Sequence, residues 1–163
     1  LPTPTPWNTL ASIEQTADAA GDSRAPRYLL VEVGGQSVAW ELVQIREIVS
    51  PRNVTRLPGA PVWVLGLLNL RGTVLTVVDL AQRLGLTSEA EGGSVVVVEY
   101  EGRALGVRVD LVHAVAASAD ATVEPVEAAR AADGLVTGMV RLADGPALLM
   151  DAGALCRSVL VTI

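Results

Sequence analysis

Arg27-Tyr28-Leu29-Leu30-Val31-Glu32-Val33-Gly34-Gly35-Gln36-Ser37-Val38-Ala39-Trp40-Glu41 sets the pattern for the whole chain. Alternation over residues 27–33 predicts a strand, because successive strand side chains point to opposite faces. Gly34-Gly35 tolerates the positive φ of a tight hairpin turn, and residues 36–41 then pair back. The stretch recurs. Val31-Glu32-Val33-Gly34-Gly35-Gln36-Ser37-Val38 lies over Val98-Glu99-Tyr100-Glu101-Gly102-Arg103-Ala104-Leu105, with Gly35 on Gly102. The register carries on, placing Leu42 on Val109, Ile45 on Val112 and Ile48 on Val115. A second pair of segments matches at nearly the same offset: Gly66 on Gly138, Leu70 on Leu142, Val77 on Leu149 and Asp79 on Asp151. Turn glycine, aliphatics and helix-starting aspartate agree, which favours a real duplication over chance likeness between valine-rich strands. Each unit holds about five short strands. Sheets that small expose edges unless they close. The reading is therefore an all-β fold of two small five-stranded barrels packed side by side, with short helices and a groove between them.

Further strands are predicted at 43–49, 73–78, 94–100, 103–109, 111–116, 135–142 and 147–150. Residues 62–68 read as a short helical turn, and 119–133 as Ala- and Glu-rich chain with room for another. Short helices are expected at 80–84, ended by Gly85, and at 151–155. Residues 87–93 read as a polar, exposed loop. Residues 1–26 differ from the rest: Pro2, Pro4 and Pro6 favour extended chain, and Leu10, Ile13 and Ala17 recur at helical spacing. The organisation expected is a tail over 1–26, one domain of two intertwined barrels over 27–157, and a C-terminal end over 158–163.

Composition narrows the function classes. Of 163 residues, 50% are apolar and 18% charged, which is far too apolar for a disordered chain. Phe is absent, so branched aliphatics fill the core, as suits strands. The net charge of −6 and the lack of a basic stripe argue against nucleic acid and against anionic lipid. No apolar run reaches the length of a membrane span, and the first residues lack a signal-peptide pattern. The single Cys156 cannot form an internal disulfide, so the cytoplasm is the expected compartment.

Catalytic parts are sparse. His113 is the one histidine and lies in a strand-like run, where a structural or surface role is commoner than general-base work. Cys156 reads as a small buried hydrophobe. No metal-ligand spacing, phosphate-binding loop or cofactor motif is seen. Polar residues stand out instead within apolar runs, at Ile45-Arg46-Glu47-Ile48 and Asn69-Leu70-Arg71-Gly72. A regular strand sends Arg46 and Glu47 to opposite faces. A Glu47–Arg71 pair is geometrically reasonable, the plain alternative being two solvated charges.

These segments resemble the CheW-like domain family. The matching motifs are Ile45-Arg46-Glu47-Ile48, the loop Thr55-Arg56-Leu57-Pro58-Gly59-Ala60-Pro61, Gly66-Leu67-Leu68-Asn69-Leu70-Arg71-Gly72 and Val77-Val78-Asp79-Leu80. Valines at 95–98, Gly106-Val107-Arg108-Val109-Asp110 and Thr137-Gly138 continue the series. The resemblance implies two SH3-like barrels around a groove and a non-enzymatic adaptor of bacterial chemosensory signalling. Its implied partners are the regulatory domain of a CheA-type histidine kinase and the cytoplasmic tip of methyl-accepting chemoreceptors, which places it at membrane receptor arrays without inserting it into the membrane. Residues implied in receptor and kinase coupling are Ile45, Glu47, Gly66, Asn69, Arg71, Gly72, Gly106 and Gly138. Val43 and aliphatics near Val107 are further candidate groove anchors. Other readings are an adaptor of gliding or pilus motility, a self-associating β-protein, and a small hydrolase using His113 with Asp110 or Cys156.

Overall fold

The computed structural model describes residues 26–88, 90–117, 123–125, 134–142 and 145–162. The first half of the chain forms β1 (Arg27–Val33), β2 (Gln36–Glu41), β3 (Ile45–Val49), β4 (Val64–Leu70), β5 (Thr73–Asp79) and α1 (Leu80–Leu84). The second forms β6 (Ser94–Tyr100), β7 (Arg103–Val109), β8 (Leu111–Ala117), β9 (Val123–Glu124), β10 (Val136–Leu142), β11 (Gly145–Met150) and α2 (Ala152–Thr162). The helix expected over 9–20 and most of 119–133 lie outside the described residues.

One sheet has the order β8-β1-β2-β11-β10-β9 and the other β3-β6-β7-β5-β4. Each sheet thus takes one hairpin from its own half of the chain and the remaining main strands from the other half. The exchange is reciprocal down to single residues. Leu29 pairs with Val115 where β1 meets β8, and its duplicate Val96 pairs with Ile48 where β6 meets β3. Ala39 runs parallel to Leu149, as Gly106 does to Val77. Even the bulges correspond, with Arg46 left out of the β3 ladder and His113 out of β8. The six-stranded sheet exceeds the expected five only by the two-residue β9. Its counterpart in the other sheet is a single bridge from Thr55 to Leu67.

Three hairpins turn on two residues that both have positive φ: Gly34-Gly35, Arg71-Gly72 and Glu101-Gly102. That geometry matches the right-handed twist of the flanking strands. Both short helices start as expected, with Asp79 accepting from Ala81 N and Asp151 from Gly153 N and Ala154 N. Gly85 closes α1 in the left-handed region, whereas α2 runs on to Thr162, through the boundary expected at 157.

Two expectations are corrected. Residues 62–68 do not form a helical segment: one turn closes from Val64 N to Pro61 O, and β4 follows. The run is apolar at almost every position, so its period could not separate strand from helix. The pairing offered by β5 across the Arg71-Gly72 turn decides it. Residues 42–44 form a 3-10 turn, so β3 begins at Ile45.

Three apolar clusters explain the valine run at 95–98. Leu29, Val31, Val96, Val98, Val107 and Trp40 meet between the two sheets. Tyr28, Leu30, Ala39 and Leu149 fill the inside of one sheet, and Val95, Val97, Val77 and Leu68 the inside of the other. Strands β1 and β6 are therefore buried on both faces, which erases the usual polar alternation. Full burial of each such side chain contributes about 1.5–3 kcal/mol.

Candidate functional site

The bulge at Arg46 shapes the site. In a regular strand Arg46 and Glu47 would face apart, but both line one small cavity of about 90 Å³, together with Leu70, Arg71, Thr73 and Leu75. An extra residue in one strand bends it and re-aims its neighbours. Across the cavity Arg71 donates twice to Glu47, from Nη2 to Oε1 at 3.1 Å and from Nη1 to Oε2 at 3.3 Å. The pair links β3 on one edge of the sheet to the β4–β5 turn on the other. Glu47 is largely covered at 18% exposure while Arg71 stands out at 76%. Arg46 also lies 3.7 Å from Glu99.

Asn69 serves the turn that carries Arg71. Its Oδ1 accepts from Gly72 N–H at 3.0 Å. Arg71 itself sits at φ 51°, a strained value for a residue with a Cβ, and Gly72 at 85°. Turn, amide and ion pair together present one guanidinium in a set direction.

The other residues singled out from sequence do not join this cluster. Ile45 is half-buried and packs against the inter-sheet core. Gly66 lies where the 51–57 loop crosses β4: a Cβ there would come within 2.1 Å of Thr55 O. Gly138 repeats this in the other sheet, 2.7 Å from Glu124 O. A Cβ on Gly106 would meet Val95 Cγ1 at 2.9 Å and Val77 Cγ2 at 3.0 Å. These three glycines permit close packing. Val107 is fully buried and is core, whereas Val43 is 90% exposed.

His113 Nε2 lies 3.1 Å from Glu32 Oε2. Cys156 is 1% exposed, and burial pushes its thiol pKa up. Asp110 is engaged with Gly34, Ser88 and Arg108. Of the residues in the hydrolase reading, His113 and Asp110 are thus each engaged with other side chains, and Cys156 is buried in the inter-sheet core. Among the described residues no group of three or more His, Cys, Asp or Glu converges on a metal position, and no helix is long and apolar enough to cross a membrane.

Sequence reading missed buried Arg108 and half-buried Asp110 as a polar node. The signal was present: an arginine inside a buried valine strand is followed two residues on, just past the strand's end, by an aspartate, and such charges are seldom buried unpaired.

The family model of the CheW-like domain matches residues 27–160. The chain belongs to the CheW-like domain family. Among similar curated proteins, the chemotaxis protein CheW of Rhizobium meliloti (strain 1021) is 36% identical over 95 residues, covering 57% of this chain and 61% of that protein. The corresponding protein of Klebsiella aerogenes is 25% identical over 153 residues, covering 91% and 92%. The match to a Rhizobium etli relative likewise spans 61% of that protein. In structure, this CheW-like domain is similar to the scaffolding protein TtCheW from Thermoanaerobacter tengcongensis, with a TM-score of 0.69 at 22% identity, covering 78% of this chain and 89% of that one. The two sheets are thereby placed in the SH3-like barrel fold of CheW-like domains.

Proposed function

We propose that this CheW-like domain is a non-enzymatic scaffold that couples methyl-accepting chemoreceptors to a CheA-type histidine kinase at membrane receptor arrays. The observation that carries the reading is the bidentate Glu47–Arg71 pair, held at the two motif segments with the Arg71 side chain left 76% exposed. A covered carboxylate fixes the direction of an exposed arginine, which suits registration of a partner's polar groups at an interface rim. Val43, 90% exposed beside β3, supplies an apolar contact. No bond is made or broken in this role. A bound receptor biases the kinase through differential contacts carried by the scaffold.

Reconstitution tests it. The chain is mixed with a receptor cytoplasmic fragment and a CheA-type kinase, and phosphorylation is followed. Stimulation by the wild type, weakened about tenfold or more by Arg71→Ala or Glu47→Arg, supports the reading, since truncating a charged anchor costs on this order. A folded wild type that binds neither partner sinks it.

A further inference from the structure

Asp110 stands where the chain leaves one sheet for the other, between the end of β7 at Val109 and the start of β8 at Leu111. Its N–H donates to Glu32 O at 3.0 Å, and its Oδ2 accepts from Gly34 N–H at 2.8 Å. Both contacts tie it to the β1–β2 hairpin. Its Oδ1 accepts from Ser88 Oγ at 2.7 Å and from Arg108 Nη1 at 3.1 Å. Arg108 belongs to β7 in the opposite sheet and is 8% exposed. It donates from Nε to Gly92 O at 3.0 Å and from Nη2 to Ala90 O at 2.7 Å. Its Nη1 also lies 3.9 Å from Asp79, the cap of α1.

One guanidinium and one carboxylate therefore gather a hairpin of one sheet, a strand of the other, a helix cap and the connection between the two halves of the chain. Backbone packing is equally close. A Cβ on Gly34 would come within 2.9 Å of Thr87 O, and one on Gly93 within 2.2 Å of Val109 O. The described residues of 87–93 form the largely exposed loop that the sequence predicts, and from it Ser88 Oγ and the carbonyls of Ala90 and Gly92 face this node.

The duplicate unit does not repeat the pair, since Arg108 falls on Glu41. Asp110 corresponds to Val43 at the quasi-equivalent junction, and Val43 is 90% exposed. There Gln44 makes the side-chain contacts instead, donating from Nε2 to Asp151 Oδ1 at 3.4 Å and accepting from Ala152 N at 3.3 Å, so the architecture does not demand a carboxylate at this position.

We propose that Arg108 and Asp110 form a clasp that fixes the two sheets in one relative setting and holds the α1–β6 connection against their junction. The inter-sheet apolar core remains when the clasp is opened, so opening is local and does not unfold the domain. The role in signalling rests on the adaptor reading: a scaffold that relays receptor state to a kinase has to move as one body.

Residue-resolved hydrogen exchange on the full chain tests the clasp with Arg108→Met, Asp110→Asn and Ser88→Ala. The expected result is amide exchange at Gly34 and at residues 86–88 and 90–93 accelerated about tenfold or more in the first two variants, with the centres of β1 and β6 unchanged. Ser88→Ala leaves the ion pair in place, so it gives a smaller change in the same amides and keeps the test open if a charge variant misfolds. Unchanged exchange in the folded variants, or uniform acceleration everywhere, overturns the proposal. In the reconstituted assay, Asp110→Asn is expected to bind each partner singly yet stimulate the kinase less. Full stimulation by a variant with a loosened connection overturns the signalling role. Failure of the wild type to bind either partner removes the adaptor reading and leaves the exchange result standing.

Discussion

Arg71 and Glu47 meet through two parallel hydrogen bonds of 3.1 and 3.3 Å, although β3 and the β4–β5 turn that carry them lie at opposite ends of the strand order. Fork-to-fork geometry of this kind fixes direction as well as distance. Arg71 is mostly in water, so the pair stabilises the fold by less than about 1 kcal/mol. Arg71→Ala should therefore keep its thermal midpoint within a few degrees while losing partner binding. A pull-down alongside a melting curve checks both, and retained binding of both partners by Arg71→Ala and Glu47→Arg would remove these residues from the interface.

Gly66 and Gly35 separate two uses of glycine. A Cβ on Gly66 meets the Thr55 carbonyl at 2.1 Å, whereas one on Gly35 meets nothing within 4 Å and suffers only its φ of 79°. Gly66→Ala should cost about 2 kcal/mol or more, because the 51–57 loop must move. Gly35→Ala should cost about 1 kcal/mol from the left-handed backbone. Denaturant titrations rank the two, and the reverse order would show that the Thr55 crossing yields easily.

Acid should weaken the clasp. Burial acts to raise the pKa of Asp110, but hydrogen bonds from Ser88 and Gly34 and the charge of Arg108 outweigh it and leave the pKa below its usual value. A lowered folded pKa means stability fully present above the unfolded value of about 3.9 and lost as pH falls through the folded value. The stability gap between wild type and Asp110→Asn should be constant near neutrality and narrow below about pH 4. Unfolding titrations at several pH values measure it, and a gap that persists unchanged into acid would contradict the assignment.

Cys156 should be inert in the folded chain. Desolvation raises its pKa and the side chain is 1% exposed, so little thiolate forms and little reagent reaches it. Alkylation at neutral pH should run about a hundredfold or more slower than in denaturant, limited by opening of α2. Comparable rates in both states would mean that α2 is not docked.

Much of the site was legible in the chain itself. Arg46-Glu47 and Asn69-Leu70-Arg71-Gly72 interrupt apolar runs, and charges kept within such runs mark positions where something other than packing is served. The side of the strand was not legible. The bulge that turns Arg46 and Glu47 into one cavity is a property of the ladder with β6. Ile45 and Val107 read as anchors because apolar residues look alike in sequence; only neighbours reveal that one leans on the core and the other is inside it.

By itself the sequence determined the local alphabet of the fold: glycine turns after Val33 and Tyr100, aspartate caps at Asp79 and Asp151, and a unit written twice. Each is dictated by steric preference or by hydrogen bonding within a few residues. Tertiary structure alone decided which strands the intertwined halves exchange, so that Leu29 seeks Val115 and Val96 seeks Ile48. Two copies of one pattern offer the same ladder partners in either arrangement, and strand hydrogen bonds do not tell them apart. The choice falls to long-range packing around Trp40 and the inter-sheet core, and to the β7–β8 junction that Arg108 and Asp110 close.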